Sequence, residues 1–435
     1  METKNRLFVL GYLLILIKSQ RESNGKHRVP LVTSLTTFES FKEKNYRYLW
    51  FGTYSAAFGG WLHQASLGWF VFELTESPFI VGVVVAIRNV PFLVAGLGGG
   101  LAADRFNKKN LLGIMHVLIS IWALLFSITI WLEFARWWIA AAYAFINGIM
   151  WSFCQPIRQS LIAAVVPRNL LANAVALQTM AFNINMITGP FIAGILITYL
   201  GVEASFLLQS IVYLGMSVFV WMIRLPLVVS TTNHSSSIRE NLRSMFAYVF
   251  GNELLLGLIL LGLIFPLFVN STVQLMPVYA VEILHVDARG LGILMSSVGI
   301  GAVLGSLSLA SLSDFSKKGI SLVIVAILAG ISIIALGNSN VLLISMGILL
   351  FMGIFNISGR VLIQTLLQLN TNDLFRGRIL SLYVMQQGFV TVGTLLAGGL
   401  AQILNVGIAM IIMGIMSVVV VLLVLAFFKS LISIK

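Results

Sequence analysis

Gly100-Leu-Ala-Ala-Asp104-Arg105-Phe-Asn-Lys108-Lys109 ends a glycine-rich apolar stretch, and a related passage follows about 210 residues on, where Gly301 to Ser313 runs into Asp314-Phe-Ser-Lys317-Lys318. Gln64 with Gln274, Glu73 with Glu282 and Gly82 with Gly292 keep nearly the same offset. That offset is about half of the 435 residues, so the chain reads as two related halves. In a sequence this apolar, duplicated halves point to transport, with a binding site between them.

The composition sets the class. Hydrophobic residues make up 59% and charged residues 10%, against about 25% charged in soluble domains. The fold class expected is therefore all-α integral membrane. Twelve apolar spans are expected at 48–73, 79–103, 110–133, 137–157, 173–200, 203–223, 254–280, 289–313, 320–337, 340–359, 379–403 and 406–428, each able to cross the hydrocarbon layer as a helix. The net charge of +12 is a topology signal. Nine Lys and Arg precede the first span. Arg105, Lys108 and Lys109 follow span two, Arg158 and Arg168 lie at the end of span four, and Arg224, Arg239 and Arg243 sit in the central loop. Lys317 and Lys318 follow span eight, Arg360, Arg376 and Arg378 follow span ten, and Lys429 and Lys435 close the chain. The opposite side holds only Arg136 and Arg289, and Arg88 lies inside a span. The positive-inside rule places both termini and the central loop of a multi-pass membrane protein in the cytoplasm, and it leaves no role for nucleic acid.

Four segments are expected: a cytoplasmic leader at 1–45, a first six-helix bundle at 46–224, a cytoplasmic linker at 225–253 and a second six-helix bundle at 254–430. The leader holds an apolar run from Leu7 to Ile17, too short to span. No soluble-enzyme motif occurs: there is no Gly-x-x-x-x-Gly-Lys-Ser/Thr, no His-Glu-x-x-His and no Gly-x-Ser-x-Gly. The five His lack metal-ligand spacing and Cys154 is alone. No enzyme activity, cofactor or metal is expected.

The stretch Gly100 to Lys109 resembles the signature loop of the major facilitator superfamily, at Gly100, Asp104, Arg105, Lys108 and Lys109, with Asn107 where that family usually has Gly. Arg88-Asn-Val-Pro91, Pro156-Ile-Arg-Gln-Ser160, Val166-Pro-Arg168 and Arg376-Gly-Arg378 are similar to the bacterial exporter branch that includes enterobactin exporters and macrolide-efflux proteins. Gly189-Pro190 resembles the Gly-Pro motif of family antiporters, with Ala193-Gly194 where a Gly pair is expected. The resemblance covers about residues 40–430 and implies two pseudo-symmetric six-helix bundles, a monomer, and a conformational gate made by Gly100, Asp104, Arg105, Lys108, Lys109, Asp314, Gly189 and Pro190.

The resemblance also implies that spans one, four, seven and ten line the cavity. Their polar stripes nominate Gln64, Tyr143, Asn147, Trp151, Asn270, Gln274 and Asn356 as substrate-cavity residues; uncharged amides and aromatics in an apolar tunnel suit a bulky amphiphilic organic compound. Interhelical hydrogen bonding is the competing use of the same groups. Arg88 is either a functional intramembrane charge or a brace bonded to carbonyls. All 15 acidic residues fall in loops or at span ends, so proton coupling, if it operates, uses Glu73, Glu282, Asp104 or the substrate's own charge. His63 reads as a packed residue before a proton carrier. The function expected is export of a drug, siderophore or secreted metabolite; nutrient uptake and a non-transporting receptor or scaffold are the alternatives.

Overall fold

The computed structural model describes residues 36–105, 107–224, 247–311, 317–372, 375, 379, 382–383 and 385–433. Ser40–Lys435 form one compact unit. Among the described residues there is no strand. Six helices form the first half: α1 Lys44–Thr75, α2 Pro78–Arg105, α3 Lys108–Trp131, α4 Trp137–Val165, α5 Leu171–Leu200 and α6 Val202–Met222. The second half holds α7, which begins at Glu253–Ile264, then α8 Ala288–Ser311, α9 Lys318–Gly337, α10 Leu342–Leu369, α11 Val390–Ile403 and α12 Val406–Phe427.

Nine described helices are long and apolar enough to cross a membrane. α1 is not among them, because its middle carries Tyr54, Ser55, His63, Gln64 and Ser66. It tolerates them by facing protein: Ala56, Leu62, His63, Ala65, Ser66 and Leu67 are all buried. The ends of α4 and α10 run further than the apolar pattern suggests. Arg158 and Arg360 mark the expected limits at 157 and 359, yet Leu161, Ile162 and Val165 stay buried on α4, and Leu362, Ile363 and Leu366 on α10. At 1.5 Å per residue these helices are roughly 40 Å long and project past the hydrocarbon.

α7 is broken where a single span was expected. Pro266 has no N–H to give the preceding turn. The backbone responds with a π-helical turn, Phe265–Asn270, before the short helix Ser271–Gln274. The Ser271 hydroxyl donates to the Pro266 carbonyl at 2.9 Å, a side-chain bond that ties the end of this turn to its start. A second break falls at Leu275 (φ −89°, ψ 6°), ahead of Pro277, and the chain continues as Met276–Glu282. Asn107 needs no glycine-like backbone. It sits at φ −62° and caps α3, its side chain accepting from the backbone N–H groups of Lys109 and Asn110 at 3.1 and 3.3 Å. Gly201, at φ 85°, makes the tight turn between α5 and α6 that a side chain would strain.

Helices in lipid associate through close backbone approach, because burying Leu against Leu gains little over burying it in lipid. The repeat shows in these approaches. α2 crosses α4 at Gly148, where a Cβ would collide with the Arg88 carbonyl; α8 crosses α10 at Gly353, where a Cβ would collide with the Val298 carbonyl. The halves meet along two further pairs, α2 with α11 and α5 with α8. A Cβ on Gly82 would lie 2.6 Å from the Thr394 carbonyl oxygen and 3.4 Å from the Gly398 Cα. Its repeat mate Gly292 would meet the Pro190 carbonyl oxygen at 2.7 Å and the Gly194 Cα at 3.3 Å.

Candidate functional site: an amide layer beneath a closed end

One end of the bundle carries the basic loops and the other the short loops, where Arg136 and Arg289 are the cations. Among the described residues, every hydrogen bond between the halves lies toward the short-loop end. The Ser296 hydroxyl donates to the Ile187 carbonyl at 2.7 Å, and Thr391 to the Ala86 carbonyl at 3.4 Å. Gln402 accepts from the Ser77 hydroxyl at 2.7 Å and from the Phe79 N–H at 3.4 Å. Arg289 donates to the Tyr199 hydroxyl at 3.0 Å while pairing with Asp287 at 2.7 Å. Partial burial pushes the Asp287 carboxyl up, but Arg289 and the Gly290 N–H more than reverse this and hold it below the usual carboxylate range. Its contribution is therefore full above the unfolded value of about 3.9 and lost only as pH falls through the depressed native value. Both partners are well exposed, so this pair adds little. The glycine crossings do most of the closing.

α1 and α7 complete the closure. A Cβ on Gly68 would lie 2.9 Å from the Pro277 Cγ. Gln64 stands one turn before Gly68, and Gln274 three residues before Pro277, so both side chains belong to the layer directly beneath the seal. Both are half-buried. Lower on α7, half-buried Asn270 accepts from the Asn356 amide of α10 at 2.8 Å, and the Asn356 carbonyl oxygen is left without a hydrogen bond. These four neutral amides are brought to the same region of the bundle.

The other nominated residues sit deeper in the first half. Tyr143 stacks on Phe126, with centroids 4.2 Å apart, and donates to Gln209 at 3.0 Å. Gln209 donates to the Tyr213 hydroxyl at 3.3 Å, and Trp151 donates to the same hydroxyl at 3.1 Å with its ring against Gly60. Asn147 is 1% exposed and neither of its amide atoms makes a hydrogen bond. His63 is equally buried, and neither ring nitrogen makes a well-formed hydrogen bond; Tyr143 lies 5.4 Å from it, ring to ring, the Gln209 amide is its nearest hydrogen-bonding neighbour and Arg88 the nearby charge. Gln209, Tyr213 and His63 complete a polar chamber that no motif indicated. The available signal was a count of polar residues within spans one, four and six.

Gly189 and Pro190 lie where α5 touches both neighbours. A Cβ on Gly189 would come 2.6 Å from the Trp61 Cβ of α1, and the Pro190 carbonyl faces Gly292 of α8. Gly100, Asp104 and Arg105 occupy the last turns of α2, with their side chains outside the described residues, as is Asp314. Lys108 and Lys109 open α3, half-buried. Glu73 and Glu282 lie near the short-loop ends of α1 and α7, away from the amide layer.

Comparison with known proteins agrees with this architecture. The family model described as transmembrane secretion effector matches residues 35–431. The chain is 24% identical over 380 residues to the staphyloferrin A transporter of Staphylococcus aureus, covering 86% of this chain and 93% of that protein. It is 22% identical over 336 residues to the enterobactin exporter EntS of Citrobacter koseri, covering 76% and 79%. The crystal structure of the nucleoside transporter NupG superposes with a TM-score of 0.72 at 14% identity, over 89% of this chain and 99% of that one. The chain belongs to the transmembrane secretion effector family and is a multi-pass transporter of the major facilitator type, not an enzyme.

Proposed function

We propose that the protein exports a bulky amphiphilic organic compound, such as a drug, siderophore or secreted metabolite, from the bacterial cytoplasm. The observation that carries this reading is the layer of neutral amides, Gln64, Gln274, Asn270 and Asn356, lying directly beneath a sealed end. The basic loops belong in the cytoplasm by the positive-inside rule. The sealed end then faces outward, and cargo reaches the amide layer from inside. Two named relatives, a staphyloferrin A transporter and an enterobactin exporter, support a siderophore among the candidates. Export proceeds by rocking of residues 46–224 against 254–430, with 225–253 as the cytoplasmic linker and 1–45 as a cytoplasmic leader. Proton entry drives it, with Glu73 and Glu282 the nearest described carboxylates.

The test is accumulation. Cells lacking the protein should retain an amphiphile that expressing cells expel; equal retention across a broad panel of amphiphiles would exclude export. The gate assigned to Asp104, Arg105 and Asp314 makes contacts in one state that break in the other. Asp104→Asn is therefore expected to lower transport about tenfold, the loss of one charge-assisted contact, with unchanged protein in the membrane. Unchanged transport would remove Asp104 from the gate.

A further inference from the structure

The two halves differ where their symmetry says they should match. Gly148 meets the Arg88 carbonyl and Gly353 meets the Val298 carbonyl in the same way, so Arg88 and Val298 are one position of the repeat. The crossing needs no arginine, since valine occupies its mate. The residues around Arg88 follow suit. His63 corresponds to Val273, on the offset that relates Gln64 to Gln274. Asn147, just before Gly148, corresponds to Met352, just before Gly353. Gln209 corresponds to Met413, because Ser120 meets Ser210 in one half as Gly330 meets Gly414 in the other. Val273, Val298, Met352 and Met413 are all buried. Where the second half has an apolar core, the first has a polar chamber.

The chamber holds donors and positive charge without an acid. Among the described residues no carboxylate acts on Arg88, whose polar neighbours are the Tyr213 and Tyr143 hydroxyls. Gln209, Tyr143, Tyr213 and Trp151 are committed to one another. Left over are the half-buried Arg88 guanidinium, the unbonded His63 imidazole and the unbonded Asn147 amide. An enclosed water could answer the two neutral groups. It cannot answer the charge, and a cation in a span without a counter-charge is strongly disfavoured. Guanidinium, imidazole N–H and amide NH2 together match a carboxylate or related oxyanion, which accepts only. Nearer the basic end each half carries one arginine on the matching helix, Arg158 on α4, 2% exposed and 4.6 Å from the Phe182 ring, and Arg360 on α10, so the difference in charge between the halves within the spans lies at Arg88.

We propose that Arg88, with His63 and Asn147, receives an oxyanion of the exported compound, so that the substrates are organic acids. This rests on the export reading above. The experiment compares spent media by mass spectrometry from cells lacking the protein and from cells expressing the full chain, Arg88→Gln, Arg88→Lys or Asn147→Met at matched membrane levels. Compounds whose release depends on the chain are expected to carry an ionised acid at pH 7. Arg88→Gln should cut their release at least about tenfold, the loss of a charge-assisted contact, with Arg88→Lys retaining more. Asn147→Met copies the residue that the other half already accommodates and should also lower release, which keeps the test open if an Arg88 variant fails to fold. Chain-dependent compounds that are neutral or cationic would overturn the anion site and leave export standing. Acids released equally by all variants would overturn it too. No chain-dependent compound at all would overturn the export reading itself.

Discussion

Gly82→Leu combined with Gly292→Leu is expected to abolish transport while leaving the protein in the membrane. It should also hold the short-loop end open. Both glycines sit at the contacts that seal that end. A Cβ at either would press on a backbone carbonyl of the opposite half at 2.6 or 2.7 Å, before the rest of the side chain is counted. Overpacking of this kind costs about 1–3 kcal/mol per site. Carrying a two-state equilibrium from 1:99 to 99:1 needs about 5.5 kcal/mol. One wedge shifts the balance and two approach full reversal. The readout is a cysteine at Gln274, beneath the seal, challenged from the short-loop side with a membrane-impermeant thiol reagent. Native Cys154 is buried and gives a low background. Labelling should be slow in the parent and fast in the double-wedge chain. Slow labelling in both would mean that these glycines do not form the seal.

Gly82 and Gly292 were visible in the sequence as marks of the repeat. That they meet Gly398 and Gly194 was not, because a contact between halves joins α2 to α11 and α5 to α8, and no local pattern records it. The spans themselves were legible for a simpler reason: hydrocarbon thickness sets their length and loop charge sets their spacing. The outline failed where one residue changes the backbone. Pro266 was in plain view, but only the surrounding helices decide whether a proline kinks a helix or is absorbed in a π-helical turn closed by Ser271. At the site, Gln64, Gln274, Asn270 and Asn356 could be nominated because amides in an apolar span stand out. Gln209 and Tyr213 could not, since α6 is not a cavity helix by resemblance. His63 taken singly reads as packing. It gains meaning beside Arg88 and Asn147, and through the valine at its repeat mate.

His63→Val together with Asn147→Met, the residues that the second half carries at the same places, is expected to make the protein more stable and transport-dead. Each original side chain is 1% exposed with no hydrogen bond. An unsatisfied buried polar group costs about 1–3 kcal/mol, and in a bilayer the fold has little water with which to relieve it. The pair conserves volume in outline, since valine gives up space near Arg88 and methionine takes it, and a flexible thioether fills irregular gaps. Thermal unfolding in detergent should rise by about 2 °C or more, while export falls to the level of cells lacking the protein. A lower melting temperature with export intact would show that the chamber is ordinary packing in which the polar groups are well housed. The expected combination carries a broader consequence. The second half demonstrates that this fold can fill the same volume with Val273, Val298, Met352 and Met413, so the polar set of the first half cannot be a requirement of the architecture. Groups that cost stability and are not needed for packing are retained for what they bind, and here the unused capacity is that of an anion receptor.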